Sequence, residues 1–353
     1  MQEPEACPRQ LGFRMPAEWE AHEATWVAWP HETTDWPDKF AAIPWIYGDI
    51  IRHLSRVERV CILTNDAEAE QKARRVLKKC HVRMEAVEFF HIPTDRSWTR
   101  DFCPMFVRNS RGERGALNWQ FNGWAKYENS KCDDAVTEAL TPQLGLRMWT
   151  PFWKKKRVVL EGGSIDVNGM GSVLTTEECL LSRIQARNPE VTREDMEEVF
   201  AHYLGAHHTL WLGNGIAGDD THGHIDDLAR FTDARTVVIA TEEDPTQLNF
   251  EPLKENLALL REMRDQDGKV LRVETLPMPQ PVLFDDQRLP ASYANFYIAN
   301  ETVLVPTFND AKDRVALNKL AELFPDRQVI GIGSTDLVLG LGTLHCMTQQ
   351  QPV

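Results

Sequence analysis

The sequence predicts a mixed α/β fold in which one structural module recurs around a common centre. Three observations predict it: β-rich runs paired across polar turns, an amphipathic helix after each pair, and a further β-rich run after each helix. Recurrence at a spacing of about 65 residues is the mark of stacked or radially arranged modules, whose loops meet where the copies face one another. With 353 residues and 42% apolar content the chain can bury a large core. No Gly/Ser linker, charge block or low-complexity tract divides it, so one domain over residues 1–353 is expected.

In chain order, residues 58–64 read as a strand, 67–79 as a helix and 87–92 as a second strand. The clearest module starts with residues 158–160 and 165–167, turns at Asn168-Gly169 and returns through 172–175, because Asn-Gly between β-rich flanks is a strong hairpin signal. A helix follows over 192–204. The next copy pairs residues 228–231 with 236–240 across Thr232-Asp233-Ala234-Arg235, then places a helix over 252–265, where Leu253, Leu257, Leu260 and Met263 recur at helical spacing. A strand over 269–276 completes it. A third copy pairs 293–299 with 302–306 around Asn300-Glu301, followed by a helix over 312–323 and a strand over 328–332.

The charge balance restricts the partners. Basic residues number 39 and acidic ones 53, giving a formal charge of −14 that opposes a phosphate backbone and favours cationic ligands, so no nucleic acid is expected. Seven cysteines, an odd number without a C-x-x-C pair, indicate neither a disulfide framework nor a thiolate zinc site, and reduced thiols follow. Met1-Gln2-Glu3-Pro4-Glu5-Ala6 lacks a basic region before an apolar core, and no apolar run approaches the roughly 18 residues of a spanning helix. A cytoplasmic protein with no membrane partner is therefore expected.

The chemistry concentrates in four segments. Gly340-Leu341-Gly342-Thr343-Leu344-His345-Cys346-Met347-Thr348-Gln349-Gln350 sets a thiol among glycines and polar residues, where a substrate can approach closely. A thiol attacks only when its pKa is lowered or a base takes its proton, and a buried structural cysteine is the alternative reading of Cys346. His345 is adjacent, but neighbours on extended chain face opposite ways, so the base must come from elsewhere. His224 and Asp226 share a face if their segment is a strand and would form an acid/base pair. His222, His224 and Asp226 could instead be three metal ligands of a metallohydrolase, which a chelator would inactivate; a thiol enzyme would be inactivated by alkylation. Asp101, in Trp98-Thr99-Arg100-Asp101, reads as a ligand-binding acid or half of a surface Arg-Asp pair. Glu161 precedes Gly162-Gly163, which allows close packing behind an acid aimed at a ligand and equally a simple bulge. Combined, Asp101, Glu161 and Asp226 provide carboxylates for the coplanar N–H groups of a guanidinium, with Cys346 as nucleophile above the plane. A small cationic guanidino compound is the expected partner.

These segments, with Trp19-Glu20-Ala21-His22-Glu23-Ala24-Thr25-Trp26, resemble the agmatine deiminase and bacterial peptidyl-arginine deiminase family of guanidine-modifying enzymes over about residues 13–352. The resemblance implies a five-bladed, pseudo-symmetric α/β propeller and no metal or organic cofactor. It also implies hydrolysis of agmatine to N-carbamoylputrescine and ammonia through a covalent thiouronium on cysteine, a step towards putrescine. By position, Cys346 matches the family nucleophile, His224 the proton-transfer histidine, Asp101 and Asp226 the principal guanidinium ligands, and Glu161 an acid beside the histidine. Cys103, Asp166, Asp227 and Leu341 depart from the common pattern and leave the substrate open. Peptidyl-arginine or another guanidine, the metallohydrolase and a non-catalytic guanidine-binding propeller stand as alternatives. For the far end of the substrate Trp19, Trp98, Trp124 and Glu20 are candidates, since an ammonium suits an aromatic face or an acid. A homo-oligomer is left open.

Overall fold

Apolar and β-branched runs pair into five sheets of three or four strands, with two separate two-stranded ribbons among the described residues. The computed structural model describes residues 6–353, so Met1 to Glu5, on which part of the N-terminal argument rests, lie outside the described residues.

Four sheets share one build, in which a short strand pairs antiparallel with the next, a helix crosses over, and the chain returns as a parallel outer strand. They comprise Met105–Arg108, Arg114–Leu117 and Arg147–Trp149 with helix Lys131–Leu140; Ile165–Val167, Ser172–Thr176 and His208–Leu212 with helix Arg193–Tyr203; Ala229–Phe231, Thr236–Thr241 and Arg272–Pro277 with helix Phe250–Glu262; and Tyr297–Ile298, Thr302–Thr307 and Gln328–Gly333 with helix Asp313–Leu323. The first sheet uses both ends of the chain. The last strand, Gln349–Pro352, lies antiparallel to His22–Ala28, with Thr25 opposite Gln350 and Trp26 opposite Gln349. Helix Ile43–Leu54 then leads to the parallel strand Arg59–Thr64, beyond which helix Ala67–Lys79 and strand Val87–His91 add an outer layer. The pairing that completes this sheet also holds residue 346 next to the middle of the chain.

Local chemistry sets the helix ends. The Thr192 hydroxyl accepts from Asp195 N–H and the Asp195 carboxylate accepts from Thr192 N–H, a reciprocal cap that starts Arg193–Tyr203. Asp66 accepts from Ala69 N–H at 2.8 Å, and Lys78 and Lys79 close the same helix at its negative end. Leu253 and Leu260 are fully buried on one face of Phe250–Glu262, each worth about 1.5–3 kcal/mol relative to exposure. That helix stops at Glu262, short of the expected 265, because Asp265 Oδ1 accepts from Asp267 and Lys269 N–H and draws the chain into a turn bridged by Arg264 and Val270.

Three other expectations change. Residues 158–160 do not form a strand beside 165–167; Val159 makes one isolated bridge to Gln120, and the turn Gly162–Ser164 intervenes. Of residues 293–299 only Tyr297–Ile298 are strand, because the Ser292 hydroxyl accepts from Ala294 N–H and the Asn295 amide is turned inwards. His224 and Asp226 are not on a strand either, since Ile225–Asp227 is a turn of 3₁₀ helix ahead of Ala229–Phe231. Among the described residues no helix is long and apolar enough to cross a membrane.

Candidate active site

The segment that leads into the first strand of each sheet carries a polar residue at the same cluster. These are Asp101 before Met105–Arg108, Glu161 before Ile165–Val167, Asp226 before Ala229–Phe231, Asn295 before Tyr297–Ile298, and Cys346 before Gln349–Pro352. Repetition of the module is thus what brings distant residues together.

Asp101 sits in the four-residue helix Thr99–Phe102, with both carboxylate oxygens fixed: Gly163 N–H donates to Oδ1 at 2.9 Å and the Trp124 indole to Oδ2 at 2.8 Å. Glu161 is wholly buried, and Arg187 Nε donates to its Oε1 at 2.9 Å. Its Oε2 lies 3.8 Å from His224 Nε2, and His224 Nδ1 lies 3.9 Å from Asp226 Oδ1. The imidazole therefore stands between two carboxylates, and neither nitrogen makes a hydrogen bond, although the ring is only 1% exposed. Asp226 turns its other oxygen, Oδ2, towards His345 Nδ1 at 2.7 Å and Cys346 Sγ at 3.6 Å. Asn295 Nδ2 donates to Cys346 Sγ at 3.1 Å.

A cavity of about 500 Å³ opens onto this cluster, with Cys346 in its wall beside Trp98, Asp101, Trp124 and Gly342. Gly163 lies behind it, among the buried acids and the imidazole. A Cβ there would lie 2.5 Å from His224 Nδ1, 2.9 Å from Asp101 Oδ1 and 3.0 Å from Asp226 Oδ2, so only glycine lets the three groups converge. Gly342 plays a similar part at the thiol, where a Cβ would meet Trp98 at 2.9 Å and Cys346 Sγ at 3.2 Å.

Burial sets the protonation states. It raises Asp101 to about 6, with His224 opposing the rise and Asp226 and Glu161 adding to it. Burial would also raise Glu161, but the Arg187 guanidinium and His224 hold it at about 2. For His224, burial acts to lower the pKa, yet Asp101, Cys179 and Glu161 raise it well above the ordinary range, which favours imidazolium. The Cys346 thiol is pushed well up by burial and then by Asp226, Asp227 and Asp101, so it is neutral before a cation arrives.

Trp98 and Trp124 line the cavity, but Trp19 and Glu20 do not. Glu20 points away because it binds Arg14 through both carboxylate oxygens, at 2.6 and 2.7 Å, and Arg327 donates to the Trp19 carbonyl at 2.7 Å. The inward residue of that segment is Glu18, which sequence reasoning passed over. Glu18 Oε2 lies 2.8 Å from His345 Nε2 and accepts from Arg100 Nη2 at 3.1 Å, while Oε1 is 3.0 Å from Arg230 Nη2. His345 thus links Glu18 to Asp226 and holds the acid that faces the sulfur. Cys103 belongs to the apolar core rather than to the cavity wall. Asp166 accepts from Phe231 N–H at 2.6 Å and lies 3.4 Å from Arg230, tying two sheets together.

The metal reading of His222, His224 and Asp226 fails on geometry. His222 adopts φ 65° and turns to Ser182 and Glu178, because the chain bends at Gly223 and does not run as a strand. Glu161, Cys179 and His224 do place one donor atom each within 4.8 Å of one another. Arg187, already on the other oxygen of Glu161, sets a fixed positive charge beside that trio and opposes a cation there.

Five α/β sheets meeting at a thiol, an imidazole and several carboxylates define a hydrolase that acts on the carbon–nitrogen bonds of a guanidino group. Residues 14–352 match the model of the Porphyromonas-type peptidyl-arginine deiminase family, and the chain belongs to that family. It is 32% identical to the agmatine deiminase of Ectopseudomonas mendocina over 98% of this chain and 97% of that protein. Among solved structures, the agmatine deiminase of Enterococcus faecalis superposes with a TM-score of 0.91 at 31% identity, covering 99% of this chain and 98% of the other. A cysteine-to-serine variant of the C. jejuni agmatine deiminase with substrate bound gives a TM-score of 0.84 at 29% identity, covering 96% of each chain.

Proposed function

We propose that this chain hydrolyses agmatine to N-carbamoylputrescine and ammonia, with Cys346 as nucleophile. The convergence of Cys346, His224, Asp101 and Asp226 in one buried cluster, with Cys346 and Asp101 in the cavity wall, carries the reading. Asp101 and Asp226 take the N–H groups of the guanidinium and fix its plane. The incoming cation offsets the carboxylates of Asp226 and Asp101, which help keep the thiol protonated, so Cys346 releases its proton to solvent as the substrate binds. Sγ then attacks the central carbon, the bond to one terminal nitrogen breaks, and His224 gives that nitrogen its proton so that it leaves as ammonia. A thiouronium remains on the sulfur. His224, now neutral, takes a proton from water, the resulting hydroxide adds to the same carbon, and cleavage of the C–S bond, with loss of the hydroxyl proton to solvent, returns thiolate and the urea-type product. Glu161 keeps the imidazole cationic at the start of each cycle.

The relatives named above as agmatine deiminases support this substrate. The same reading takes the five sheets as blades of a propeller closed by the pairing of the two chain ends, and residues 1–353 as one catalytic unit. It also takes the enzyme to work with reduced thiols in the cytoplasm; all seven cysteines are free. Ammonia release from agmatine, free arginine, methylated arginines and arginyl peptides tests the substrate. Agmatine is expected to be turned over fastest, with N-carbamoylputrescine as product; preference for an internal arginine would move the reading to protein deimination.

The raised Asp101 gives a signed pH dependence. Its carboxylate form, which binds the cation, exists above about 6, so kcat/KM for agmatine should fall about tenfold per pH unit once the pH drops below that value. A profile that is flat from pH 7 down to pH 5 would exclude a titrating Asp101 from substrate binding.

A further inference from the structure

We propose that Asn295 is a catalytic residue, its side-chain N–H group hydrogen-bonding the Cys346 sulfur as thiolate during attack and again as leaving group, with Asp227 positioning its amide. This rests on the reading of Cys346 as nucleophile.

The geometry leaves the Asn295 amide one orientation. Nδ2 donates one hydrogen to Cys346 Sγ at 3.1 Å and the other to Asp227 Oδ1 at 3.0 Å. Oδ1 accepts from the Thr343 hydroxyl at 2.7 Å and from His345 N–H at 3.0 Å. A flipped amide would set its NH₂ against the His345 backbone N–H, a donor that cannot turn away, and lose that pairing. All four positions of a fully buried amide are therefore used, and one of them is spent on the sulfur.

The surroundings of Sγ make that donor matter. Asp226 and Asp227 face it from one loop and Asp101 from another, His345 reaches it only through Asp226, and the Thr343 backbone adds a favourable contact. The Asp226 and Asp101 carboxylates act against a thiolate, which therefore needs donors to oppose them. Burial, then Asp226 and Asp219, pushes Asp227 well up, so it accepts from Asn295 as a neutral carboxyl and adds no charge beside the sulfur. Asn295 also occupies, in the fifth sheet, the place held by Asp101, Glu161, Asp226 and Cys346 in the other four. With it, each sheet contributes one polar group to the reaction.

The test compares Asn295→Asp with the double variant Asn295→Asp, Asp227→Asn. Both keep an oxygen to accept from Thr343 and His345. The double variant also restores a hydrogen bond between positions 227 and 295 with donor and acceptor exchanged, so a purely structural role would be rescued in it. Measured are kcat and KM for agmatine, the melting temperature, and the pH dependence of Cys346 alkylation by iodoacetamide, read from the mass of its peptide. Expected in both variants is a loss of about 10- to 100-fold in kcat, the worth of one hydrogen bond to a charged group, with KM little changed. The midpoint of alkylation should move to higher pH. Near-wild-type kcat in the double variant, or an unmoved alkylation profile, would overturn the proposal. Loss of the folded state in both would do so too, assigning Asn295 to the scaffold. Cys346→Ala separates the two levels, because turnover surviving in that variant removes the nucleophile reading itself, whereas an inactive Cys346→Ala beside an active Asn295→Asp removes only the role of Asn295.

Discussion

Cys346→Ala is expected to release no measurable ammonia from agmatine while melting close to the wild-type temperature. Loss of a nucleophile removes the covalent route altogether, and the fall in kcat should exceed about 10⁴-fold. The fold should tolerate the change because the sulfur lies at the cavity wall, 7% exposed, where its removal opens space already continuous with the cavity. The cost is two hydrogen bonds, one from Asn295 and one to Asp226, about 0.5–1.5 kcal/mol each. A coupled ammonia assay with a thermal melt on the same preparation decides it. Turnover above about 1% of wild type would mean that another group attacks the substrate.

Gly163→Ala is expected to be almost as damaging, although it removes no reactive group. Its methyl would sit 2.5 Å from His224 Nδ1 and within 3.0 Å of carboxylate oxygens of Asp101 and Asp226, all of them buried. His224 cannot withdraw freely, since Glu161 stands 3.8 Å from its other nitrogen and Arg187 pins Glu161. Displacing the imidazole and the two carboxylates beside it by even part of an ångström should lower kcat/KM by about 10²-fold or more. Overpacking of this kind costs about 1–3 kcal/mol of stability. Gly333→Ala is the control, because a Cβ there meets nothing within 4 Å and its φ is unrestricted; both activity and stability should stay within about 0.5 kcal/mol of wild type. Equal behaviour of the two variants would show that the space above Gly163 is not needed.

Much of the site was legible because its signals are short-range. Gly162 and Gly163 beside an acid, a thiol among glycines, and His224 two residues from Asp226 all mark themselves within a few positions, whatever the rest of the chain does. The neighbours that tune these groups were not legible. Glu18 meets His345 across 327 positions, Asn295 meets Cys346 across 51, and Arg187 meets Glu161 across 26. Nothing near Asn295 distinguishes it from a strand residue, and residues 293–296 read as strand for that reason. The place of Asn295 ahead of a module's first strand was the available signal, and it could be used only once the modules were aligned in space.

The substrate-end candidates show the same limit. Trp19 and Glu20 lie in a segment that does reach the centre, but through Glu18, and a shift of one position decides which side chain points inwards. By itself the sequence determined the alternation of strands and helices, the chemical identity of the thiol, imidazole and acids, and the class of ion they suit. The tertiary structure alone decided which of these groups touch and which carry charge, because protonation follows burial and through-space neighbours that are fixed only when the two ends of the chain pair.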